Sequence, residues 1–191
     1  RPGPPAGWPT PPAPGPDPIP KGMNAPSKTP PPDLPLWDLS DLYTGREDPR
    51  LTADTDAARA LVDQMNGLSG QLVAARAQPA VLGERLDRAI GLYEQAADRL
   101  GALGAYAFLD ASTRRDDAEA QAFEADVRQT LTEVSTPTVW LTLEINQLED
   151  AEIEAALDAH PAAARWRPWL RRVRLMKPHE LSAELETFIA E

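Results

Sequence analysis

The sequence contains no cysteine and only two histidines, and these scarcities limit its chemistry before any motif is considered. Without cysteine there can be no disulfide framework, no thiolate metal site and no cysteine nucleophile. The histidines, His160 and His179, lie 19 residues apart, whereas a zinc-binding His-Glu-x-x-His helix needs two imidazoles one turn apart on one face. Because disulfides belong to oxidising compartments, their absence fits the cytoplasm, which is the location we expect.

Long apolar runs and other catalytic signatures are also missing. No run approaches the roughly 18–20 apolar residues that cross a bilayer, and the N-terminus lacks the apolar core of a signal peptide. There is no Gly-x-Ser-x-Gly elbow and no phosphate-binding Gly-x-x-x-x-Gly-Lys loop. The net charge is −11, and an acidic body repels phosphate backbones and anionic lipids. We therefore expect neither a nucleic-acid partner nor a membrane partner.

Proline is scarce except at the N-terminus, where residues 1–35 hold 15 of the 21 prolines. Such a stretch cannot propagate a helix or pair as a central strand, so it is predicted to be a disordered tail. Its Pro-Pro-Pro run at residues 30–32 could bind a polyproline-reading module, although a spacer is the simpler interpretation. Met23 is a candidate native start, which would make residues 1–22 upstream sequence. The foldable part is residues 36–191, with a net charge of −12, since the tail has three cations and two carboxylates.

The foldable part shows apolar side chains at helical spacing almost throughout. Asp48 is suited to cap a first helix that begins at Pro49, because the missing N–H of proline costs nothing there. Gly67 and Gly70 lie inside this helical pattern and weaken its end. Its apolar stripe comprises Leu51, Ala58, Leu61, Met65, Leu68 and Leu72. A second helix of about seven turns begins near Pro79, with the stripe Leu82, Leu86, Ile90, Tyr93, Ala97, Leu100, Leu103 and Ala107.

Glycine and proline mark the next part of the chain. Gly101 and Gly104 in the second helix would allow a neighbouring helix to approach closely. The polar stretch at residues 112–117 ends that helix, and a third helix follows with Phe123, Val127, Leu131 and Val134 facing inward. Pro137 must kink or restart it. The apolar spacing then resumes at Leu141, Ile145 and Leu148.

The last part is predicted to hold shorter helices. Asp150 is suited to cap a fourth helix, which carries Ile153 and Leu157 and ends before Pro161, and residues 162–175 form a further segment. Ser182 can cap a last helix at residues 183–191 whose pattern is still running at the final residue, so we expect a domain that is incomplete at its C-terminus. No alternating strand pattern of useful length occurs. The predicted fold class is all-α, built as a bundle of antiparallel helical hairpins.

Three stretches are more specific than a generic helical bundle. Residues 37–43 read Trp-Asp-Leu-Ser-Asp-Leu-Tyr, residues 103–107 read Leu-Gly-Ala-Tyr-Ala, and a closing run extends from Leu143 to Ser182. That run includes Leu-Glu-Ile-Asn-Gln-Leu and, at residues 177–182, Lys-Pro-His-Glu-Leu-Ser. In this order, the stretches resemble the N-terminal part of oligoendopeptidase F, a family related to thimet oligopeptidase.

The resemblance implies a zinc-dependent metalloendopeptidase that hydrolyses oligopeptides. In that family a helical N-terminal part walls a deep channel, which admits oligopeptides and excludes folded proteins. A later His-Glu-x-x-His helix and a further glutamate hold zinc, and the glutamate of the motif activates the metal-bound water. The implied partners are oligopeptide substrates and a C-terminal catalytic domain that this chain lacks. We expect zinc in the full-length protein and none bound by this fragment, which we expect to be inactive alone.

The nearest approach to a zinc motif is at His179 and Glu180, but Ala183 stands where the second histidine is needed. One imidazole beside one glutamate does not make a tetrahedral site, so we assign His179 to the start of the last helix, beside Pro178. His160 is assigned to an exposed loop. We therefore predict no catalytic, cofactor-binding or metal-binding residue in this chain.

Two charged clusters have both a functional and a structural interpretation. The first alternates acids and bases at helical spacing, which favours a solvated, ion-paired face over an acid–base pair: Glu84, Arg85, Asp87, Arg88, Glu94, Asp98 and Arg99. The second could contact nucleic acid or bind the carboxylate of a peptide C-terminus: Arg165, Arg167, Arg171, Arg172, Arg174 and Lys177. For this basic cluster we favour a structural role, with a buried stripe of Trp166, Trp169, Val173 and Met176.

The remaining alternatives concern the aromatic residues near the start of the domain and the function itself. Trp37 and Tyr43 either anchor the N-terminal segment to the helices, which we favour, or contact the catalytic domain. The competing function is a stand-alone, non-catalytic helical module that binds a partner or a peptide. The downstream reading frame separates the two functions, since a His-Glu-x-x-His helix there indicates the peptidase and a natural stop after Glu191 favours the module.

Overall fold

The computed structural model describes residues 37–177, with the side chain of Met176 excepted, and every regular element in that range is helical. This confirms the predicted all-α class for the described residues. The predicted tail at residues 1–35 and the predicted last helix at residues 183–191 lie outside them. The helices are α1 (Pro49–Asn66), α2 (Gln71–Ala74), α3 (Pro79–Thr113), α4 (Ala118–Ser135), α5 (Trp140–Gln147), α6 (Asp150–Ala159) and α7 (Arg167–Met176), with 3-10 turns at Thr136–Thr138 and Pro161–Trp166.

The first helix begins as predicted and ends earlier. Asp48 caps α1 by accepting a hydrogen bond from the Arg50 N–H, and Pro49 is the first helical residue. The Arg50 guanidinium, together with backbone donors, lowers the pKa of Asp48. The prediction of one stripe through Leu72 was wrong about continuity, because α1 stops at Gly67. Gly70 then has a φ of 79°, a left-handed conformation that glycine adopts without steric cost and that redirects the chain into α2.

Helix α3 is the central element, and its 35 residues span about 52 Å. Helices α1, α4 and α6 all pack against it. Its first half faces the largest core cluster, and its second half faces a cluster around Tyr43 and Tyr106. One position of the predicted stripe was wrong: Ala97 is exposed and Ala96 is buried instead. The most completely buried side chains are Met65, Leu72, Leu82, Leu86, Ile90, Leu141, Ile145, Leu148, Leu157 and Leu170.

Close helix packing depends on glycine at two positions of α3. The prediction for Gly104 is confirmed, since a Cβ there would lie 2.9 Å from Cδ1 of Leu131. The prediction for Gly101 was wrong, because that position faces open space. The tightest approach is at Gly83, where a Cβ would lie 2.5 Å from both the carbonyl oxygen of Ala156 and Cβ of His160. Helix α6 therefore crosses α3 at Gly83, which periodicity alone did not identify.

The later helix boundaries follow from capping residues and prolines. Asp117 caps α4 by accepting hydrogen bonds from the N–H groups of Glu119 and Ala120. Pro137 lies in the 3-10 turn between α4 and α5, as the predicted restart requires. Helix α6 is capped one residue earlier than predicted, since Glu149 and Glu152 form a reciprocal capping box. Asp150, the predicted cap, is the first helical residue.

The segment before α1 packs against α3 and α4 through the buried ring of Tyr43 and the guanidinium of Arg46. Tyr43 is 3% exposed, and its ring meets that of Tyr106 edge-on at 5.3 Å between centroids. Burial, with the hydrogen bond from its hydroxyl to Asp54, raises the pKa of Tyr43 to about 12. The anchor prediction thus holds for Tyr43, but Trp37 is 69% exposed and anchors nothing among the described residues.

Arg46 completes this attachment, and its ion pair with Asp117 makes the attachment sensitive to pH. Its guanidinium donates to Asp110 and to Asp117, each at 2.7 Å. The hydrogen bond from Arg46, followed by the N–H of Ala120, lowers the pKa of Asp117. A carboxyl whose pKa is lower in the folded than in the unfolded state stabilises the fold above its unfolded pKa of about 3.9. That stabilisation is lost as the pH falls through the folded pKa.

We therefore expect the urea midpoint of the parent protein to fall when the pH is lowered from about 6 to about 3. The midpoint of the Asp117→Asn variant should fall less over the same pH range. Asparagine still caps a helix, so the variant removes the titrating group and keeps the cap. Urea unfolding followed by circular dichroism at each pH measures the difference. Arg46→Gln is the matched variant, because it removes the cation that lowers the pKa. An unchanged acid sensitivity in both variants would contradict the role of this ion pair.

Candidate functional site

A buried carboxylate ties α5 to the turn between α1 and α2. Glu144 is 7% exposed and accepts hydrogen bonds from the backbone N–H of Gly70, of Leu72 at 3.1 Å and of Val73 at 3.4 Å. Helix α2 has no side-chain cap of its own, so Glu144 supplies from a distant helix the acceptor that its free N–H groups need. This residue belongs to the Leu-Glu-Ile-Asn stretch, and its capping role was missed because the N–H groups that it binds lie more than 70 residues earlier.

An arginine ties α7 to the junction between α5 and α6. The Nη1 group of Arg174 donates to the carbonyl oxygens of Ile145 at 3.1 Å and Leu148 at 2.5 Å. Its Nε donates to Asp150 at 2.9 Å. A cation at the carbonyl end of a helix is favourable both as a hydrogen-bond donor and against the helix dipole. Helices α5, α6 and α7 are thus held together by polar contacts in addition to their shared core.

Helices α6 and α7 line a groove among the described residues. The cavity between the two helices has a volume of about 580 Å³. Its floor is apolar and consists of Ile153, Leu157 and Leu170, and its edges carry Asp150, Glu154, Arg167, Arg171, Arg174 and Leu175. We call it the α6–α7 groove. An apolar floor with charged edges is suited to bind the apolar face of a helix or a peptide.

The predicted basic cluster is divided by the structure into paired and unpaired cations. Arg165 donates to Asp87 at 3.1 Å, Arg167 pairs with Glu154 and Asp158, and Arg174 acts as described above. Arg171 and Arg172 are exposed and make no ion pair within residues 37–177. The favoured structural role therefore applies to Arg165, Arg167 and Arg174.

Trp166 and its neighbours correct two further predictions. Trp166 is buried, and its indole N–H donates to Asp87 at 2.8 Å, so Asp87 anchors an aromatic side chain and is not simply part of a solvated face. In the predicted stripe Trp169 and Val173 are only partly buried, and Met176 lies outside the described side chains. Leu170, which the stripe omitted, is 2% exposed and is the main apolar contact of α7.

Among the described residues, no group of three or more His, Cys, Asp or Glu side chains could hold a metal ion. His160 follows the last residue of α6, and its side chain is partly buried, with Nε2 3.9 Å from the Asp87 carboxylate. The prediction of an exposed loop residue was therefore wrong about exposure, since the side chain is 32% exposed. His179, Glu180 and Ala183 lie outside the described residues. Within residues 37–177, no helix is both long enough and apolar enough to cross a bilayer.

A comparison with protein families finds a partial match at the C-terminal end of this chain. The family model for the N-terminal domain of M3 peptidases matches residues 144–191. The match begins at Glu144 in α5 and covers α6 and α7. The description of that family is oligopeptidase F, and the match confirms the resemblance predicted from the closing run. The stretches at residues 37–43 and 103–107 lie outside it. No curated protein and no solved structure matches the chain.

Proposed function

We propose that this chain is the N-terminal, channel-wall domain of a zinc-dependent metalloendopeptidase that hydrolyses oligopeptides in the cytoplasm. The observation that carries the proposal is the family match, which falls on the part of the chain that Glu144 and Arg174 hold together. The all-helical architecture supports it. In this role the helices restrict access to a catalytic centre located elsewhere in the protein, and the partners are oligopeptide substrates and the catalytic domain.

The described residues of this chain do not fit a zinc site. They contain no suitable group of ligands, and the only imidazole among them, His160, has a single carboxylate near it at 3.9 Å. A hydrolytic zinc site needs three protein ligands around one open position. No step of peptide hydrolysis is therefore assigned to these residues, and their contribution is the shape and charge of the wall.

The test compares this chain with the protein translated from the whole reading frame that contains it. Each is assayed for bound zinc by mass spectrometry and for cleavage of a quenched fluorescent oligopeptide and of a folded protein. We expect no stoichiometric zinc and no cleavage for this chain. We expect the whole protein to cut the oligopeptide, to spare the folded protein, and to lose activity with a chelator.

Two variants of the whole protein are matched controls for the position of the metal. His160→Ala and His179→Ala together remove both imidazoles of this chain and should leave the zinc content unchanged. Alanine at either histidine of a downstream His-Glu-x-x-His helix should abolish zinc binding. Loss of zinc from the protein that carries both His160→Ala and His179→Ala would contradict the proposal. Cleavage of the oligopeptide by this chain alone would contradict it too. A peptide that is bound and never cut by the whole protein would favour the non-catalytic module.

A further inference from the structure

The turn between α1 and α2 begins with the dipeptide Asn66-Gly67. Asn66 is the last residue of α1 and is partly buried, whereas Gly67 caps the helix and is exposed. A glycine after an asparagine favours spontaneous reaction of the side-chain amide, because no Cβ hinders attack by the glycine nitrogen. The chain therefore carries a chemically reactive dipeptide at the point where α1 ends.

Helix α5 holds this turn through two side chains that lie one helical turn apart. The indole N–H of Trp140 donates to Oδ1 of Asn66 at 2.9 Å. Four residues later, the Glu144 carboxylate accepts hydrogen bonds from the backbone N–H groups of Gly70 and Leu72. Residues four apart share one face of a helix. Helix α5 thus binds both the asparagine side chain and the backbone that follows it.

The folded structure restrains both reacting groups of the dipeptide. The N–H of Gly67 donates to the carbonyl oxygen of Asp63 at 3.2 Å, so the nitrogen that must lose its proton and attack is bound within the last turn of α1. The amide that it must attack is bound by Trp140. Reaction therefore requires a local opening in which the end of α1 unwinds and Asn66 leaves the indole.

We propose that Asn66 is a deamidation site and that its contact with Trp140 sets the rate of deamidation. After opening, the Gly67 nitrogen loses its proton and bonds to Cγ of Asn66. The Cγ–Nδ2 bond then breaks, and Nδ2 takes up a proton and leaves as ammonia. Water opens the resulting five-membered imide, giving aspartate by attack at Cγ or isoaspartate by attack at the backbone carbonyl carbon. The reaction needs no oxidant or reductant.

The two products differ in their effect on the turn. Aspartate keeps the original backbone and still offers an oxygen to the indole N–H of Trp140. Isoaspartate routes the main chain through Cβ and Cγ, so the backbone is one carbon longer and the free carboxylate is attached to Cα. We therefore expect the aspartate form to keep the turn and the isoaspartate form to loosen it.

Deamidation rates of the folded protein test the role of Trp140. The parent protein, Trp140→Phe and Trp169→Phe are incubated in mildly alkaline buffer, and peptide mapping by mass spectrometry follows the conversion of Asn66. Trp140→Phe keeps an aromatic ring and removes the N–H. We expect it to react about fivefold faster than the parent protein, a factor that corresponds to one net hydrogen bond. Trp169→Phe is the matched control, because both tryptophans pack against the same core cluster, and its rate should equal that of the parent protein.

Two comparisons keep the test decisive even if Trp140→Phe loses helices by circular dichroism. The parent chain unfolded in urea should deamidate at least about tenfold faster than the folded protein. The isoaspartate form, separated by anion exchange and mapping, should have a lower urea midpoint than Asn66→Asp, which carries the same charge on an unaltered backbone. Equal rates in the folded and unfolded parent protein, equal rates in folded Trp140→Phe and Trp169→Phe, or equal midpoints for the two acidic forms would overturn the proposal.

Discussion

Replacing Gly83 by alanine should lower the free energy of unfolding by about 2 kcal/mol or more, even though alanine is the better helix former. The added Cβ would lie 2.5 Å from the carbonyl oxygen of Ala156 and 2.5 Å from Cβ of His160. Neither is the end of a flexible side chain, so the backbones of α3 and α6 would have to separate. That separation would loosen the largest core cluster, which includes Leu82, Leu86 and Leu157.

The matched control is Gly101→Ala in the same helix. Gly101 faces open space, so the substitution should raise the stability by about 0.5–1 kcal/mol through helix propensity alone. Urea unfolding followed by circular dichroism and by tryptophan fluorescence measures both variants under identical conditions. If Gly83→Ala were as stable as Gly101→Ala, the close crossing of α3 and α6 would be wrong.

Removal of the Glu144 side chain should lower the free energy of unfolding about as much as Gly83→Ala does. Glu144→Ala leaves the N–H groups of Gly70, Leu72 and Val73 without their acceptor, and the Leu72 bond is fully buried. Unsatisfied buried donors cost about 1–3 kcal/mol each, so a total loss of about 2–4 kcal/mol is expected after partial rehydration of the turn. Because α2 is only four residues long, it should fray before the rest of the molecule unfolds.

Two further variants separate this capping role from a general effect of charge. Glu144→Gln keeps one acceptor oxygen and should cost less than Glu144→Ala, by about 1 kcal/mol or more. Glu133→Ala removes an exposed carboxylate from α4 and should change the stability by no more than about 0.5 kcal/mol. Hydrogen exchange at Leu72 and Val73 reports directly on the cap. If protection there were the same in Glu144→Ala and in the parent protein, the assigned hydrogen bonds would be wrong.

Local signals in the sequence predicted the elements of the fold well. Asp48 with Pro49 marks a helix start by chemistry confined to a few residues, and the predicted start is confirmed. Pro137 likewise marks a break that any helix must respect. The stripe of α3 was predicted to include Ala97, whereas Ala96 is the buried residue. Apolar spacing is a weak guide at such a position, because moving by one residue along a helix changes the direction of the side chain by about 100°.

The features that fix the tertiary arrangement could not be predicted in the same way, because their partners are distant in sequence. Gly83 looks like any helical glycine until α6 is placed across it. Glu144 acts on N–H groups more than 70 residues earlier. The division of the basic cluster also depends on which arginines meet Asp87, Glu154 or Asp150. The spacing of the arginines identified the basic cluster. The role of each arginine follows only from the packing of α3 against α6 and α7.

The crossing of α6 over Gly83 also has a consequence for the order of events during synthesis. Ala156 is translated 73 residues after Gly83, which at about 5–20 residues per second is a delay of roughly 4–15 s. Throughout that interval the apolar face of α3 that carries Leu82 and Leu86 has no α6 to cover it. That face is an apolar segment of the kind that a ribosome-associated chaperone could bind. Slower translation of residues 118–156 should increase the fraction of nascent chain that it captures.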